Sequence, residues 1–320
     1  MADVARFREG DRAQLFLVGA LALAVIFVVL AVLLNTAIYT GNIATRDAGP
    51  GTGVVVEYEQ AATGMADRSL RTVNIENNSN YTNLETTFND TVSIWSDRAN
   101  THSSAALADA HVSVVETKRG TKIGQNGTRN FTDDNNSRQW TVANNTTARA
   151  FQMTVEQGSL GDDDLFADDP EFAVEFADGG EELTLYIYNS GTLTNDVTVV
   201  LYDDGTEVSE CSVSAGADDR VSIDFSAATL AGEDCDALEE LTSRLPPQYT
   251  VTFENGTYAE GNYSLIVDRP INKLETGADD AAGGPYAAWA LYSAELSVTY
   301  QSSVIYYRTN VRLAPEELDA

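Results

Sequence analysis

A chain of 320 residues with 49 carboxylates, 19 Lys and Arg, and two histidines carries a net charge of −30. That balance excludes a nucleic-acid interface, whose phosphates demand Lys and Arg patches, and two histidines leave little material for metal or triad catalysis. Three lysines against sixteen arginines, with Asp exceeding Glu, is a halophile's composition: at 1 M salt the Debye length falls to about 3 Å and so much self-repulsion becomes tolerable.

In chain order, the first element is "LFLVGALALAVIFVVLAVLL", residues 15–34, with no charge. Fifteen of its twenty residues are Leu, Ile, Val or Phe, favouring a bilayer centre by about 6 kcal/mol as an upper estimate. As a helix it covers roughly 30 Å, the hydrocarbon thickness, and no polar stripe interrupts it. It is too long for a secretory signal, and Asn35-Thr36-Ala37 offers no small-x-small cleavage site. Arg6, Arg8 and Arg12 precede the run, whereas Arg46 alone follows it closely. The N-terminus is therefore expected in the cytoplasm and the bulk of the chain outside the cell membrane, held by a single pass through the lipid bilayer.

The junction Arg12-Ala13-Gln14-Leu15 resembles the archaeal prepilin-peptidase site, and the stretch from Arg12 to Thr40 resembles a family of haloarchaeal pilin-like membrane proteins. Val18 stands where bacterial-type pilins carry Glu. The resemblance implies cleavage between Ala13 and Gln14 by a prepilin peptidase, retention of the helix, and association with other pilin-like subunits. It implies a pilin-like cell-surface structural or interaction protein rather than an enzyme. The alternative is an uncut, membrane-anchored ectodomain that binds an extracellular ligand or glycan.

The exterior location has two further supports. Asn-x-Ser/Thr occurs at Asn77, Asn80, Asn89, Asn126, Asn130, Asn135, Asn144, Asn145, Asn255 and Asn262, where chance gives roughly 3–4 acceptors in a chain of this composition. Cys211 and Cys235 are the only cysteines, and in an outward-facing chain a disulfide is the expectation.

The expected organisation is a leader at 1–13, a transmembrane helix at 14–40, a Gly/Pro linker at 41–53, a helical hairpin at 54–110 and a β-rich extracellular domain at 111–320. Gly49-Pro50-Gly51-Thr52-Gly53 is read as a helix breaker. Val54 to Val73 then reads as helix with Val54, Tyr58, Ala61, Met65 and Ser69 on one face. A second helix is expected to open on the capping box Thr82-Asn83-Leu84-Glu85, with Leu84, Phe88, Val92, Trp95, Ala99 and Ala106 as its apolar face. From about Ala110 the period is two. Phe172-Val174-Phe176, Leu183-Leu185-Ile187, Val197-Val199-Leu201, Tyr249-Val251-Phe253 and Leu296-Val298-Tyr300 alternate, and Asp178-Gly179, Asp204-Gly205 and Asn255-Gly256 supply tight turns. Residues 183–205, with the turn Asn189-Ser190-Gly191, resemble the Ig-like modules of archaeal surface and adhesion proteins. The fold class is α+β: one membrane helix, a short helical stalk and an antiparallel β-sandwich.

Chemistry is sparse. There is no nucleophile elbow, phosphate loop or dinucleotide fingerprint, and no cofactor is expected. His102 and His111 read as structural or solvated. In "GDDDLFADDPE", residues 161–171, Asp162, Asp164, Asp168 and Asp169 offer oxygens to Ca²⁺ but lack EF-hand spacing, so hydrated surface is the expected role. Tyr286, Tyr292, Tyr300, Tyr306, Tyr307 and Trp289 form either a core layer or an exposed aromatic row.

Overall fold

The computed structural model describes residues 50–76, 79–105, 107–161, 171–180, 182–190, 196–216, 218–278 and 284–318. The apolar run 15–34, the Arg12-Ala13-Gln14 junction, Asn77, Ala106 and the four aspartates of the acidic run lie outside them. Among the described residues no helix is long and apolar enough to cross a membrane. Two compact units divide the chain, Met1–Tyr58 and Glu59–Ala320. Of the first, the structure describes the opening turns of helix α1 (Pro50–Glu76).

The end of the linker expected at 41–53 is helical, because Pro50 begins α1 instead of preceding it; residues 41–49 lie outside the described residues. Pro is at home at a helix start, where its missing N–H has no intrahelical partner to lose. The buried stripe of α1 is Val55, Tyr58, Ala62, Ala66, Leu70 and Val73, whereas Val54 and Ala61 are exposed. Of the expected face Tyr58 and Ser69 are buried and Met65 is half-buried, so the stripe overlaps the expectation and is centred about one residue further on. Val54-Val55-Val56 is apolar on three successive positions, so the run itself cannot fix the phase. Helix α2 (Tyr81–Ser104) buries Leu84, Phe88, Val92 and Ser96, close to expectation. Its cap is Asn80, whose Oδ1 accepts from the Asn83 N–H at 2.9 Å. Thr82 lies inside the helix, and Glu85 of the supposed capping box is engaged by Arg119.

The rest of the second unit is two antiparallel sheets. The smaller has the order β2 (Trp140–Thr146), β11 (Tyr249–Glu254), β4 (Phe172–Ala177), β5 (Glu182–Asn189), β6 (Asp196–Asp203), β7 (Thr206–Ser214). The larger has the order β10 (Glu233–Asp234), β9 (Thr229–Leu230), β8 (Arg220–Asp224), β3 (Ala148–Glu156), β12 (Glu260–Val267), β1 (Asp109–Asn130), β13 (Tyr286–Gln301), β14 (Tyr306–Leu313). All five alternating runs are strands with their apolar residues buried. Asp204 and Gly205 have φ of +46° and +75°, the paired positive values of a type I′ hairpin turn between β6 and β7. Asn255, at φ +56°, does something else: it carries the chain from β11 in the small sheet to β12 in the large one, so that Asn-Gly is an inter-sheet crossing and not a hairpin.

The inner faces of the two sheets share one core. Phe131 stacks on Phe172 with centroids 4.7 Å apart, and Phe151 stacks on Phe225 at 4.1 Å. Trp140 donates its Nε1–H to the Phe131 carbonyl at 3.0 Å. Such side chains are each worth roughly 1.5–3 kcal/mol when buried. A Cβ at Gly261 would lie 1.9 Å from the Thr154 carbonyl oxygen, so only glycine lets β12 approach β3 beneath Phe131. The Cys211–Cys235 disulfide, Cα atoms 5.5 Å apart, ties β7 of the small sheet to the residue that opens helix α3 (Asp236–Arg244), just beyond β10 of the large sheet.

The other face of the large sheet has its own chemistry. Leu265 and Val267 point into the sandwich, whereas Ile266 joins Ala290 and Tyr292 in a separate cluster. Arg149, paired with Ile266 across β3 and β12, shares that side. At Leu291 the strand β14 has not yet begun to pair with β13, which leaves a gap in the ladder. Asn74 of α1 fills it. Its Oδ1 accepts from the Leu291 N–H at 2.8 Å and its Nδ2 donates to the Leu291 carbonyl at 2.9 Å, so one side chain reproduces a neighbouring strand's pair of bonds.

Candidate functional site

The expected site residues fall into groups that the fold keeps apart. Cys211 and Cys235 are joined. His102 is exposed on the last turn of α2, and His111 shares a 3.1 Å hydrogen bond with Ser96. Asn80, Asn89, Asn126, Asn135, Asn144 and Asn145 are exposed, while Asn262 is half-buried within β12. Asn130 and Asn255 spend their Nδ2 groups on the carbonyls of Thr257 and Glu171. Among the described residues no group of three or more His, Cys, Asp or Glu is arranged to hold a metal ion.

The tyrosines divide between the two readings. Tyr292 and Tyr300 are buried, Tyr306 is 67% exposed, and Tyr307 donates to Glu59 at 2.6 Å. Tyr286 and Trp289, half-buried, line a groove of about 510 Å³ with Ile75, Lys122, Asn126, Ala287 and Ala288. The β1–β13 register builds it: Gly124 faces Tyr286, Lys122 faces Ala288 and Thr121 faces Trp289. Strand alternation puts Tyr286 and Ala288 on the face of Lys122 and puts Ala287 and Trp289 on the other, so the groove wraps the edge of β13. Burial pulls the Lys122 ammonium below its ordinary pKa, and Lys122 makes no ion pair among the described residues. The Tyr286 hydroxyl, raised in pKa by burial, donates to Asn126 Oδ1 at 3.2 Å.

A second polar surface lies on the outer face of the small sheet. Burial first, and then the negative charges of Glu254 and Glu182, push the Glu175 carboxyl up to about 7. Tyr186 and Tyr202 meet edge to face beside it at 5.3 Å. A hydrogen bond from the protonated carboxyl to Glu254 adds to the upward shift of Glu175. Because the folded state holds this proton more tightly than the unfolded chain, its stabilising contribution is complete below about pH 4.5 and is lost as pH rises through 7. Glu175→Gln should therefore flatten the stability profile between those pH values and gain about 1 kcal/mol at pH 8, after discounting for solvent screening of a half-exposed group. Urea melts of both proteins at pH 5 and pH 8 check this; parallel profiles would show that the fold does not hold the Glu175 proton.

The most buried charge is one that the alternating pattern of β3 hides. Arg149 is 1% exposed and donates to the carbonyls of Pro315 at 3.2 Å and Leu291 at 2.9 Å, with its guanidinium 5.9 Å from the Tyr292 ring centre. Burial lowers its pKa to about 10, which leaves it charged. The segment after β14 folds over it: Glu316 pairs with Arg71, and Glu317 accepts from Tyr292 and Arg312. Burial opposes ionisation of Glu317, but the bonds from Arg312 and Tyr292 outweigh it and hold its pKa below the ordinary value. This network contacts the protein's own backbone and closes the outer cluster.

A third depression, of about 730 Å³, is lined by Glu156, Gly158, Ser159, Asp218, Asp219, Arg220 and Glu260. Its single cation, Arg220, is already paired with Glu156 at 2.8 Å. Of the three surfaces, the groove lined by Tyr286 and Trp289 joins aromatic residues to a cation with no ion pair among the described residues. No protein-family model and no curated protein matches the chain.

Proposed function

We propose that the chain is a pilin-like cell-surface protein with a structural or interaction role and no catalytic one. In this reading residues 15–34 anchor it in the membrane with the N-terminus cytoplasmic, and the two-sheet domain stands outside the cell in concentrated salt. The observation that carries it is the uncharged apolar run immediately behind Arg12-Ala13-Gln14. The remaining support is consistent in kind: a disulfide, exposed sequon asparagines, and polar surfaces whose charges are paired with one another.

Processing supplies the test. A prepilin-type peptidase acting between Ala13 and Gln14 leaves a membrane-extracted protein whose first residue is Gln14. Arg12→Asp and Ala13→Leu should each block trimming without preventing insertion, since the apolar run is untouched. The retained form should run about thirteen residues longer and still sediment with membranes. Wild type and both variants at one mass, beginning at Met1 or Ala2, would leave a permanently anchored ectodomain in place of a pilin-like subunit.

A further inference from the structure

The sequon Asn126-Gly127-Thr128 occupies an outward excursion of β1. The ladder to β12 pairs Gln125 with Tyr263 and resumes with Arg129 opposite Gly261. Four steps along β1 thus match two along β12. The Gln125 side chain pins the neck of the excursion, donating to the carbonyls of Arg129 at 3.1 Å and Gly261 at 2.9 Å. All three sequon residues are exposed, and Gly127 borders open space. The Tyr286 hydroxyl holds Asn126 Oδ1 and so fixes the amide plane. Nδ2, the atom that carries a saccharide, forms no hydrogen bond among the described residues. Asn144, by contrast, spends the same atom on Glu275.

Asn126 is also a wall of the groove described above. No carboxylate lines that groove among the described residues, in a chain with 49 of them. Ile75 stands 68% exposed at its rim. A sugar ring offers an apolar C–H face to an indole or phenol and hydroxyls at its edge. Trp289 and Tyr286 match the first, and the Lys122 ammonium donates to the second. A saccharide attached at the rim also reaches the groove at the high effective concentration of a tethered ligand.

We propose that the saccharide N-linked to Asn126 folds back into this groove and covers Trp289, Tyr286 and Ile75. The site is thereby assigned an occupant, the chain's own glycan. This rests on the outward-facing reading above. The test uses full-length protein from a host that N-glycosylates, with glycopeptide mass spectrometry and hydroxyl-radical footprinting of wild type, Thr128→Ala and Asn126→Gln. Both variants remove the acceptor. Wild type should carry a saccharide at Asn126, and oxidation of Trp289 and Tyr286 should rise about twofold in both variants, as for aromatic rings losing an apolar cover, while Tyr306 stays constant. Release of the saccharide from folded wild type gives the same comparison should a variant misfold. Equal oxidation of Trp289 with and without the saccharide overturns the proposal. So does a bare Asn126 beside other occupied sequons, and both of these outcomes leave the surface reading standing. A chain bare at every sequon counts against both.

Discussion

Moved from multimolar salt into about 0.1 M, the two-sheet domain should lose its fold, because the Debye length grows from about 3 Å or less to about 10 Å and its many carboxylates begin to repel one another across the surface. The net charge of −30 is opposed by few cations, and five of them, Arg71, Arg119, Arg220, Arg244 and Arg312, each already hold a carboxylate. Exposed pairs of this kind contribute about 0–1 kcal/mol each, too little to offset repulsion of a domain whose whole stability is about 5–15 kcal/mol. Thermal melts across the salt series, followed by circular dichroism, should show a midpoint falling by tens of degrees or no transition at all at the low end. A melt that ignores salt over this range would remove the halophilic reading.

Asn74→Ala should cost about 2–4 kcal/mol, far more than a polar substitution on a helix normally does, because it leaves a buried N–H and weakens a buried carbonyl's satisfaction at once. Asn74 is 1% exposed, and both of its bonds reach Leu291, 217 residues away. The Leu291 carbonyl keeps Arg149 as a donor, but its N–H has no substitute. Asn74→Asp separates the two bonds. The carboxylate accepts from the N–H but faces the carbonyl without a proton. Part of the loss should therefore return at acid pH, where the protonated carboxyl donates, and vanish again as pH rises. Denaturant midpoints of wild type and both variants at pH 4 and pH 7.5 read this directly. An Asn74→Ala protein within about 0.5 kcal/mol of wild type, the range of ordinary surface changes, would show that the helix is held to the sheet by its apolar stripe alone.

Much of the sandwich is legible in the sequence because period two, with turn residues between the runs, is a local signal. Phe172-Val174-Phe176 and Leu183-Leu185-Ile187 needed nothing beyond their own spacing, and Asp204-Gly205 announced its own turn. The order of strands is not local. Nothing within Asp109–Asn130 says that its partners are Glu260–Val267 on one side and Tyr286–Gln301 on the other. The phase of α1 was only partly legible for a related reason. Its buried positions Ala62 and Ala66 are no more apolar than exposed Ala61, and only the surface they meet chooses among them. Asn74 and Arg149 were invisible because a polar residue reads as solvated until its partners, two hundred or more and about one hundred and forty residues onward, are known. The groove at Trp289 was half legible: the aromatic cluster stood out, while the β1 excursion that places Asn126 beside it did not.

The bonds from α1 into the C-terminal strands also set a timetable. Asn74 reaches Leu291, Arg71 reaches Glu316, and Glu59 accepts from Tyr307. At about 5–20 residues per second, the chain between Asn74 and Leu291 takes a ribosome roughly 10–45 s to make. Throughout that interval Leu84, Phe88 and Val92 have β1 but not β13 beside them, and the long central strand β1 lacks its partner β13. Helices α1 and α2 are made before the strands that complete their cover. The small sheet, whose strands all lie before residue 255, has every partner it needs before that interval ends, whereas the large sheet and the helix face on it are completed only when residues 286–313 have been made.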